Sequence, residues 1–272
     1  MKRILFAAGL LASFFTYAQK INIKGSDTML PLVQRLAEEY AKKSKSTEIA
    51  VTGGGSGVGI TALKDGSTDL AMSSRPIKMS EKLKFDETSR KVTETAIAID
   101  PLAVIVNPSN PIVKITKEQL EGIFTGKITN WKEVGGPNLG IVVYSRESSS
   151  GTYEYFKEHV MDKKEYTTKA LSMPANTAIV QSVSQTPGAI GYVGFVYVNK
   201  KVKALPVSFD NKIFVSPTVA NAKSNTYPIT RSLFFYNITA DDKKYKPFMD
   251  YILSKDGQTF VSFTGFIPIK KY

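Results

Sequence analysis

Cysteine is absent from this 272-residue sequence, and histidine and tryptophan occur once each. Without cysteine there can be no disulfide, no thiolate metal ligand and no cysteine nucleophile. The single histidine, His159, stands in a segment rich in Lys and Glu, which predicts an exposed helix position. No His/Asp cluster has metal-ligand spacing, and no serine has an evident base partner. We therefore expect no catalytic residue, no metal and no cofactor. An exported hydrolase stays open as an alternative that a turnover assay would test.

Long apolar runs are scarce, and the one at the N-terminus is short. Lys2-Arg3 precedes the apolar residues 4–15, and a triplet with small residues at 16 and 18 follows. This order is typical of a secretory signal cleaved after residue 18. A run of about a dozen apolar residues is too short to cross a bilayer comfortably. Because lipidation needs a cysteine at the cleavage point, we expect a soluble periplasmic protein and not a lipoprotein.

Positive charge exceeds negative charge, with 36 Lys and Arg against 24 Asp and Glu and a formal net charge of +12. The lysines are scattered in pairs such as Lys42-Lys43, and no basic helix is interleaved with aromatic residues. The sequence therefore predicts no nucleic-acid partner. A solvated basic surface and a surface that attracts a small anion are both compatible with this charge.

Alternating strand and helix patterns predict an α/β fold. Residues 20–23, 48–52 and 69–72 have strand patterns, and residues 29–43 carry apolar side chains at helical spacing. Repeated strand–loop–helix order indicates a sheet with mostly parallel strands, flanked by helices. The last segment, residues 263–269, is expected near the surface.

Two further apolar segments, residues 96–107 and 227–236, are predicted to be strands that cross between two lobes. The chain would then form lobe 1 from residues 19–98 and 229–272, and lobe 2 from residues 99–228. The loops at the strand ends of the two lobes would face each other across a cleft, where a ligand could bind.

Three loops share the chemistry of an anion site: residues 25–29, 53–59 and 146–152. Each follows a predicted strand, precedes a predicted helix, and is rich in Gly, Ser or Thr. The first turn of a helix has unpaired N–H groups and a partial positive charge, and glycine lets an oxyanion approach the backbone. Arg146 adds a guanidinium that suits two oxygens. Its alternative is an ion pair with Glu147 or Glu154.

The glycine loop at residues 53–59 matches neither of the common nucleotide motifs. It lacks the Gly-Lys-Ser/Thr ending of a Walker loop, and its glycine spacing differs from the dinucleotide fingerprint. A tight structural turn remains an alternative for this loop taken alone.

Taken together, GSDTMLPLVQRLAEEY, VTGGGSGVGITALKDGSTDLAMSSR and SRESSSGTYEYF resemble segments of the periplasmic phosphate-binding proteins of the phosphate-specific transport system. The resemblance covers most of the chain after residue 18. It implies a two-lobed periplasmic binding protein fold of type II, with a mixed, mostly parallel sheet in each lobe and phosphate in the cleft. It also implies delivery of phosphate to an ABC permease in the inner membrane, and we expect a monomer.

The resemblance also implies which residues hold the ligand. Those that match the family's phosphate-binding positions are Thr28, Met29, Ser56, Ser74, Arg146, Ser150, Gly151 and Thr152. The chain departs from the family at Ser74, where well-known members have an aspartate that accepts the proton of hydrogen phosphate and repels sulfate. It departs again at Ser148, where relatives can have an acid that tempers the arginine.

We hypothesise that Asp27 takes over the proton-accepting role from the missing aspartate; its alternative is an N-cap for the helix near Met29. Arg75 either pairs with Asp69 or faces the cleft. Three other functions remain open beside phosphate transport: a general receptor for sulfate- or molybdate-type oxyanions, a non-transport sensing or adhesion module, and the hydrolase considered above.

Overall fold

The computed structural model describes residues 19–44, 47–88 and 90–270, and the predicted signal segment at residues 1–18 lies outside them. The strands are β1 Gln19–Gly25, β2 Thr47–Thr52, β3 Leu70–Ser73, β4 Val92–Val106, β5 Ile115–Thr116, β6 Val142–Arg146, β7 Leu171–Met173, β8 Ala189–Gly194, β9 Lys203–Ala204, β10 Val207–Ser208, β11 Thr230–Ile238 and β12 Ile267–Pro268. The helices are α1 Leu30–Lys43, α2 Ser56–Lys64, α3 Met79–Asp86, α4 Lys117–Thr125, α5 Gly151–His159, α6 Asn176–Gln185, α7 Val219–Lys223, α8 Asp242–Leu253 and α9 Lys255–Phe263.

The main sheet has ten strands in the order β2-β1-β3-β11-β4-β8-β6-β7, and β9 and β12 also pair with β4. Strands β1, β2 and β3 are parallel at one end of the sheet, and β6, β7 and β8 are parallel at the other. Strand β11 runs antiparallel to its neighbours β3 and β4. This is the predicted mixed, largely parallel α/β architecture. No helix in the described ranges is long and apolar enough to cross a membrane.

Strand β4 connects the two halves of the sheet. Its first part, residues 92–101, pairs with β11, and its second part, residues 102–106, pairs with β8. Asp100 on β4 lies directly opposite Arg231 on β11. The two predicted crossing segments are therefore adjacent antiparallel strands, and the chain passes between the lobes at this point.

Two large apolar cores lie on either side of this connection. One includes Leu36, Phe235 and Phe248 and is built from residues before 99 and after 229. The other includes Trp131 and Phe156 and is built from residues 102–229. Each lobe thus has its own buried interior, as expected for units that move relative to one another. The predicted boundaries at residues 98 and 229 stay a prediction.

Local patterns located the first helix well but misplaced the C-terminal segment. Helix α1 has Pro31 in its first turn and buries one apolar face, as its spacing predicts. The expectation that residues 263–269 lie at the surface was wrong for Phe266 and Ile267, which are 2% and 3% exposed. The cause is tertiary: β12 pairs with β4 and covers the first core.

Candidate functional site

The three glycine- and hydroxyl-rich loops meet in the cleft. The N–H of Gly55 donates to the carbonyl of Gly25 at 2.9 Å, which joins the second loop to the first. The N–H of Gly57 donates to the carbonyl of Ser149 at 3.0 Å, which joins the second loop to the third across the cleft. Gly55 has φ of +102°, and a Cβ there would lie 2.6 Å from the Ser149 carbonyl oxygen, so only glycine fits. The two lobes are therefore in contact at the site.

Each loop ends at the N-terminus of a helix. Helices α1 and α2 begin without a hydrogen bond from a capping side chain, at Met29 and Gly55 respectively. The alternative role of Asp27 as the cap of α1 was therefore wrong. In the third loop, the Ser150 hydroxyl caps α5 by accepting from the N–H of Thr152 at 3.2 Å. The expected ligand donor at Met29, its N–H, here donates to the carbonyl of Ser26 at 3.1 Å.

The predicted hydroxyl residues are buried and close together. The Ser56 hydroxyl accepts from the N–H of Ser74 at 3.0 Å, and the two hydroxyl oxygens are 3.4 Å apart. A Cβ on Gly151 would lie 2.3 Å from the Ser56 oxygen and 2.7 Å from the Ser74 oxygen, so the third loop is packed on both serines. The hydroxyls of Thr28 and Thr152 are 3.1 Å apart. The structure thus brings together hydroxyls from both lobes.

Arg146 is the charged residue that the sequence predicted for this site, and its side chain is 2% exposed. Nε donates to the carbonyl of Met173 at 3.2 Å, and Nη2 donates to the carbonyl of Pro174 at 2.7 Å. Within the described part of the chain Nη1 makes no hydrogen bond, although it lies 3.5 Å from Oδ2 of Asp27. Burial lowers the pKa of Arg146, and the charge of Asp27 opposes that shift. A buried donor of this kind needs an acceptor.

Asp27 faces lobe 2 and not its own helix. Its Oδ2 accepts from the backbone N–H of Asn176 at 3.0 Å and from Nδ2 of the same residue at 2.9 Å. The Tyr197 hydroxyl donates to the backbone carbonyl of Asp27 at 2.8 Å. Oδ2 also lies 3.5 Å from Nη1 of Arg146. The carboxylate thus supplies the negative charge near Arg146 that Ser148 cannot.

The sequence reasoning missed Asn176, Tyr197, Asp100 and Arg231. Arg231 lies between the lobes and is hydrogen-bonded to Asp100 and to both threonine hydroxyls. The sequence did contain an indication of this pair, because each charged residue interrupts an apolar segment that was predicted to cross between the lobes. Asn176 and Tyr197 carried no comparable signal, since polar residues at helix ends are common.

Two other residues have structural roles. Arg75 forms a two-pronged ion pair with Glu81, at 2.8 and 2.7 Å, so its predicted pairing with Asp69 was wrong. Asp69 instead pairs with Lys244 at 2.7 Å. His159 is exposed and stacks on Tyr155 with ring centres 3.9 Å apart. No group of three or more His, Cys, Asp or Glu in the described ranges could hold a metal ion.

Comparisons with known proteins give one consistent answer. The family model of the PBP superfamily domain matches residues 16–256. The chain is 36% identical over 244 residues to the phosphate-binding protein PstS of Staphylococcus epidermidis, covering 86% of this chain and 74% of that protein. It is 31% identical to the phosphate-binding protein PstS of Borreliella burgdorferi, covering 99% of this chain and 100% of that protein.

Solved structures agree in fold. A Clostridium perfringens protein crystallised with bound phosphate has a TM-score of 0.85 and 33% identity, covering 92% of this chain and 100% of that chain. An ABC-type phosphate transport receptor of Vibrio cholerae has a TM-score of 0.75 and 33% identity, covering 91% of this chain and 99% of that chain. Both likenesses support the predicted two-lobed binding-protein fold of type II.

Proposed function

We propose that this chain, which belongs to the PstS family of phosphate-binding proteins, binds inorganic phosphate between its lobes and delivers it to an ABC transporter. The observation that carries the proposal is the guanidinium of Arg146. Its Nη1 is buried and has no hydrogen bond in the described part of the chain, and it lies 3.5 Å from Oδ2 of Asp27 in the first loop. A tetrahedral anion supplies the acceptors that this arrangement needs.

Both lobes contribute donors to the proposed ligand. Lobe 1 offers the hydroxyls of Thr28, Ser56 and Ser74 and the uncapped N-termini of α1 and α2. Lobe 2 offers Arg146 and the start of α5, where the remaining predicted residues lie; these are Ser150, Gly151 and Thr152. Helix N-termini and a guanidinium all favour negative charge. Each lobe alone holds only part of this set and would bind an anion weakly, and closure would combine the donors of both lobes. The strands β4 and β11 would then be the hinge.

The cellular location of the protein is inferred from its family and from the predicted signal segment. We infer a periplasmic protein that is exported by a cleaved signal and acts as a monomer on an inner-membrane permease. The relatives include phosphate-binding proteins and a phosphate transport receptor. We therefore assign this chain no catalytic step.

Selectivity for phosphate over sulfate would depend on negative charge at the ligand. Ser74 can donate as well as accept, so it discriminates less than the aspartate of other family members would. Asp27 is the carboxylate next to Arg146, and it would disfavour a ligand that cannot supply a hydrogen. A general oxyanion receptor is the second candidate, favoured by the serine at position 74.

The test is calorimetric titration of the phosphate-stripped mature protein with phosphate, sulfate and a phosphate monoester. Saturable binding of phosphate alone, without monoester hydrolysis, supports the proposal. Equal affinity for sulfate would make the chain a general oxyanion receptor. Hydrolysis of the monoester, or failure to bind either ion, would overturn the transport function.

A further inference from the structure

A buried ion pair joins the two strands that connect the lobes. Arg231 on β11 donates from Nη2 and Nε to Oδ2 of Asp100 on β4, at 2.9 and 3.2 Å. Their side chains are 1% and 0% exposed. A buried charge pair is costly to place and often adds little stability, so its presence at the hinge calls for a reason beyond packing.

The same guanidinium reaches one threonine from each lobe. Nη1 donates to Oγ1 of Thr152 at 3.0 Å, and Nη2 donates to Oγ1 of Thr28 at 3.4 Å. Thr28 belongs to the first loop of lobe 1, and Thr152 belongs to the first turn of α5 in lobe 2. Arg231 therefore holds both hydroxyls only when the lobes are together.

The donors around Thr28 determine where its hydrogen points. A hydroxyl has two acceptor sites and one hydrogen. Oγ1 of Thr28 accepts from Arg231 and also from Nδ2 of Asn176 at 3.3 Å, so both acceptor sites are filled. Its hydrogen must then be donated, either to the ligand or to Oγ1 of Thr152. If Thr28 donates to Thr152, then Oγ1 of Thr152 accepts from both Arg231 and Thr28, and the hydroxyl hydrogen of Thr152 must be donated to a further acceptor.

We propose that Arg231, held in place by Asp100, is a positioning residue that makes the Thr28–Thr152 pair an obligatory hydrogen-bond donor to a deprotonated oxygen of bound phosphate. This inference rests on the proposed function. The ligand oxygen at the threonine pair must accept, so the hydrogen of monohydrogen phosphate is directed to another part of the site. A ligand group that carries a hydrogen at this position is rejected, because two donors would face each other.

Arginine is suited to this role and lysine is not. The planar guanidinium carries its donors in a fixed fork, so it can hold one carboxylate oxygen and two hydroxyls at once. An ammonium group is a compact charge on a flexible stem, and it could keep the pair with Asp100 while losing at least one threonine. Arg231→Lys therefore separates the positioning role from the neutralisation of Asp100.

The experiment measures the dissociation constants of phosphate for wild type, Arg231→Lys, Thr152→Val and the double variant, with melting temperatures for all four. We expect Arg231→Lys to weaken binding by about 10- to 100-fold, as loss of a hydrogen bond to a charged group does. In the Thr152→Val background the same change should cost clearly less than in wild type, because one of the two hydroxyls that Arg231 positions is gone. Thr152→Ser, which restores a hydroxyl, should recover the coupling.

Arg75→Lys is the matched control, since Arg75 is also a buried arginine paired with a carboxylate but contacts no threonine of the site. It should lower the melting temperature and leave phosphate affinity within about twofold. If Arg231→Lys is too unstable to assay, Arg231→Gln with Asp100→Asn replaces the ion pair with a neutral amide pair and should show the same loss of affinity. Additive effects of Arg231→Lys and Thr152→Val, or unchanged affinity in Arg231→Lys, would overturn the inference. Failure of wild type to bind phosphate would instead overturn the proposed function.

Discussion

Oδ2 of Asp27 lies 3.5 Å from Nη1 of Arg146, so a carboxylate of lobe 1 faces a guanidinium of lobe 2 across the cleft. Asn176 holds the carboxylate in this position through two hydrogen bonds. The contact places a negative charge beside the main anion-binding cation of the proposed site. The contact therefore links the charge of the ligand, the selectivity between phosphate and sulfate, and the closing of the two lobes.

Replacing this carboxylate tests its part in selectivity. Asp27→Asn keeps the side-chain shape and removes the negative charge, so we expect sulfate affinity to rise by about 5- to 30-fold, since removing one charge near an anion is worth about 1–2 kcal/mol. Phosphate affinity should change less. The matched control is Glu147→Gln, which neutralises an exposed carboxylate next to Arg146 in sequence. An Asp27→Asn protein that still rejects sulfate would rule out the hypothesis that Asp27 accepts the ligand's hydrogen.

Arg146 should be the most sensitive single position in the site. Arg146→Lys removes Nη1 and the two donors that orient the group against Met173 and Pro174. We expect phosphate affinity to fall by about 100-fold, which corresponds to about 3 kcal/mol for a buried charge-assisted hydrogen bond. Calorimetry measures this loss, with Arg35→Lys on the exposed face of α1 as the control. A loss of less than about threefold would contradict the proposed role of Arg146.

Gly151 tests whether the lobes must touch for tight binding. A methyl group at this position would meet the hydroxyls of Ser56 and Ser74, so Gly151→Ala should hold the lobes apart. We expect phosphate affinity to fall about tenfold or more, while the melting temperature stays near that of wild type because alanine is a better helix former. Small-angle scattering should show a more open protein at saturating phosphate. Gly140→Ala is the control, since a Cβ there meets nothing within 4 Å; tight binding by a closed Gly151→Ala protein would be the contrary result.

Tyr197 gives a prediction for the effect of pH. Burial, and then the negative charge of Asp27, raise the pKa of its hydroxyl well above the usual value of 10.0. A raised pKa means that the neutral hydroxyl persists through pH 10, and its contribution is lost only as the pH rises toward the higher folded-state pKa. Tyr197→Phe should weaken phosphate binding by about 2- to 12-fold, the equivalent of one neutral hydrogen bond between the lobes. The ratio of the two affinities should stay constant from about pH 7 to 10.

The control for this change is Tyr144→Phe, because the partner of that hydroxyl, Thr186, belongs to the same lobe. It should leave phosphate affinity unchanged. If the ratio between wild type and Tyr197→Phe fell with a midpoint near pH 10, the hydroxyl would be titrating normally and would not be buried against Asp27 in solution.

The site could be predicted where its residues are contiguous and could not where they are distant. Ser150, Gly151 and Thr152 form one helix start, so local pattern and helix-end chemistry were enough to find them. Asn176 meets Asp27 over a separation of 149 residues, and only the folded sheet brings them together. Arg75 shows a different limit: its partner Glu81 is only six residues away, but the pair depends on where α3 begins after a short turn. The fold was predictable because strand–loop–helix order is repeated along the chain.

Strand β4 belongs to both lobes, and this position limits where insertions and deletions can occur in the sequence. Its first part pairs with β11, with a register shift between Leu233 and Phe234, and its second part pairs with β8. A gain or loss of one residue near position 101 would exchange the two faces of residues 102–106, so that Leu102, Val104 and Val106 would enter the core that Ala103 and Ile105 now fill. The two cores hold side chains of different size at these positions, so such a change would disturb the packing on both faces of the second part of β4. Length differences among related sequences should therefore be confined to surface loops. The number of residues in β4 that link the two halves of the molecule should stay constant.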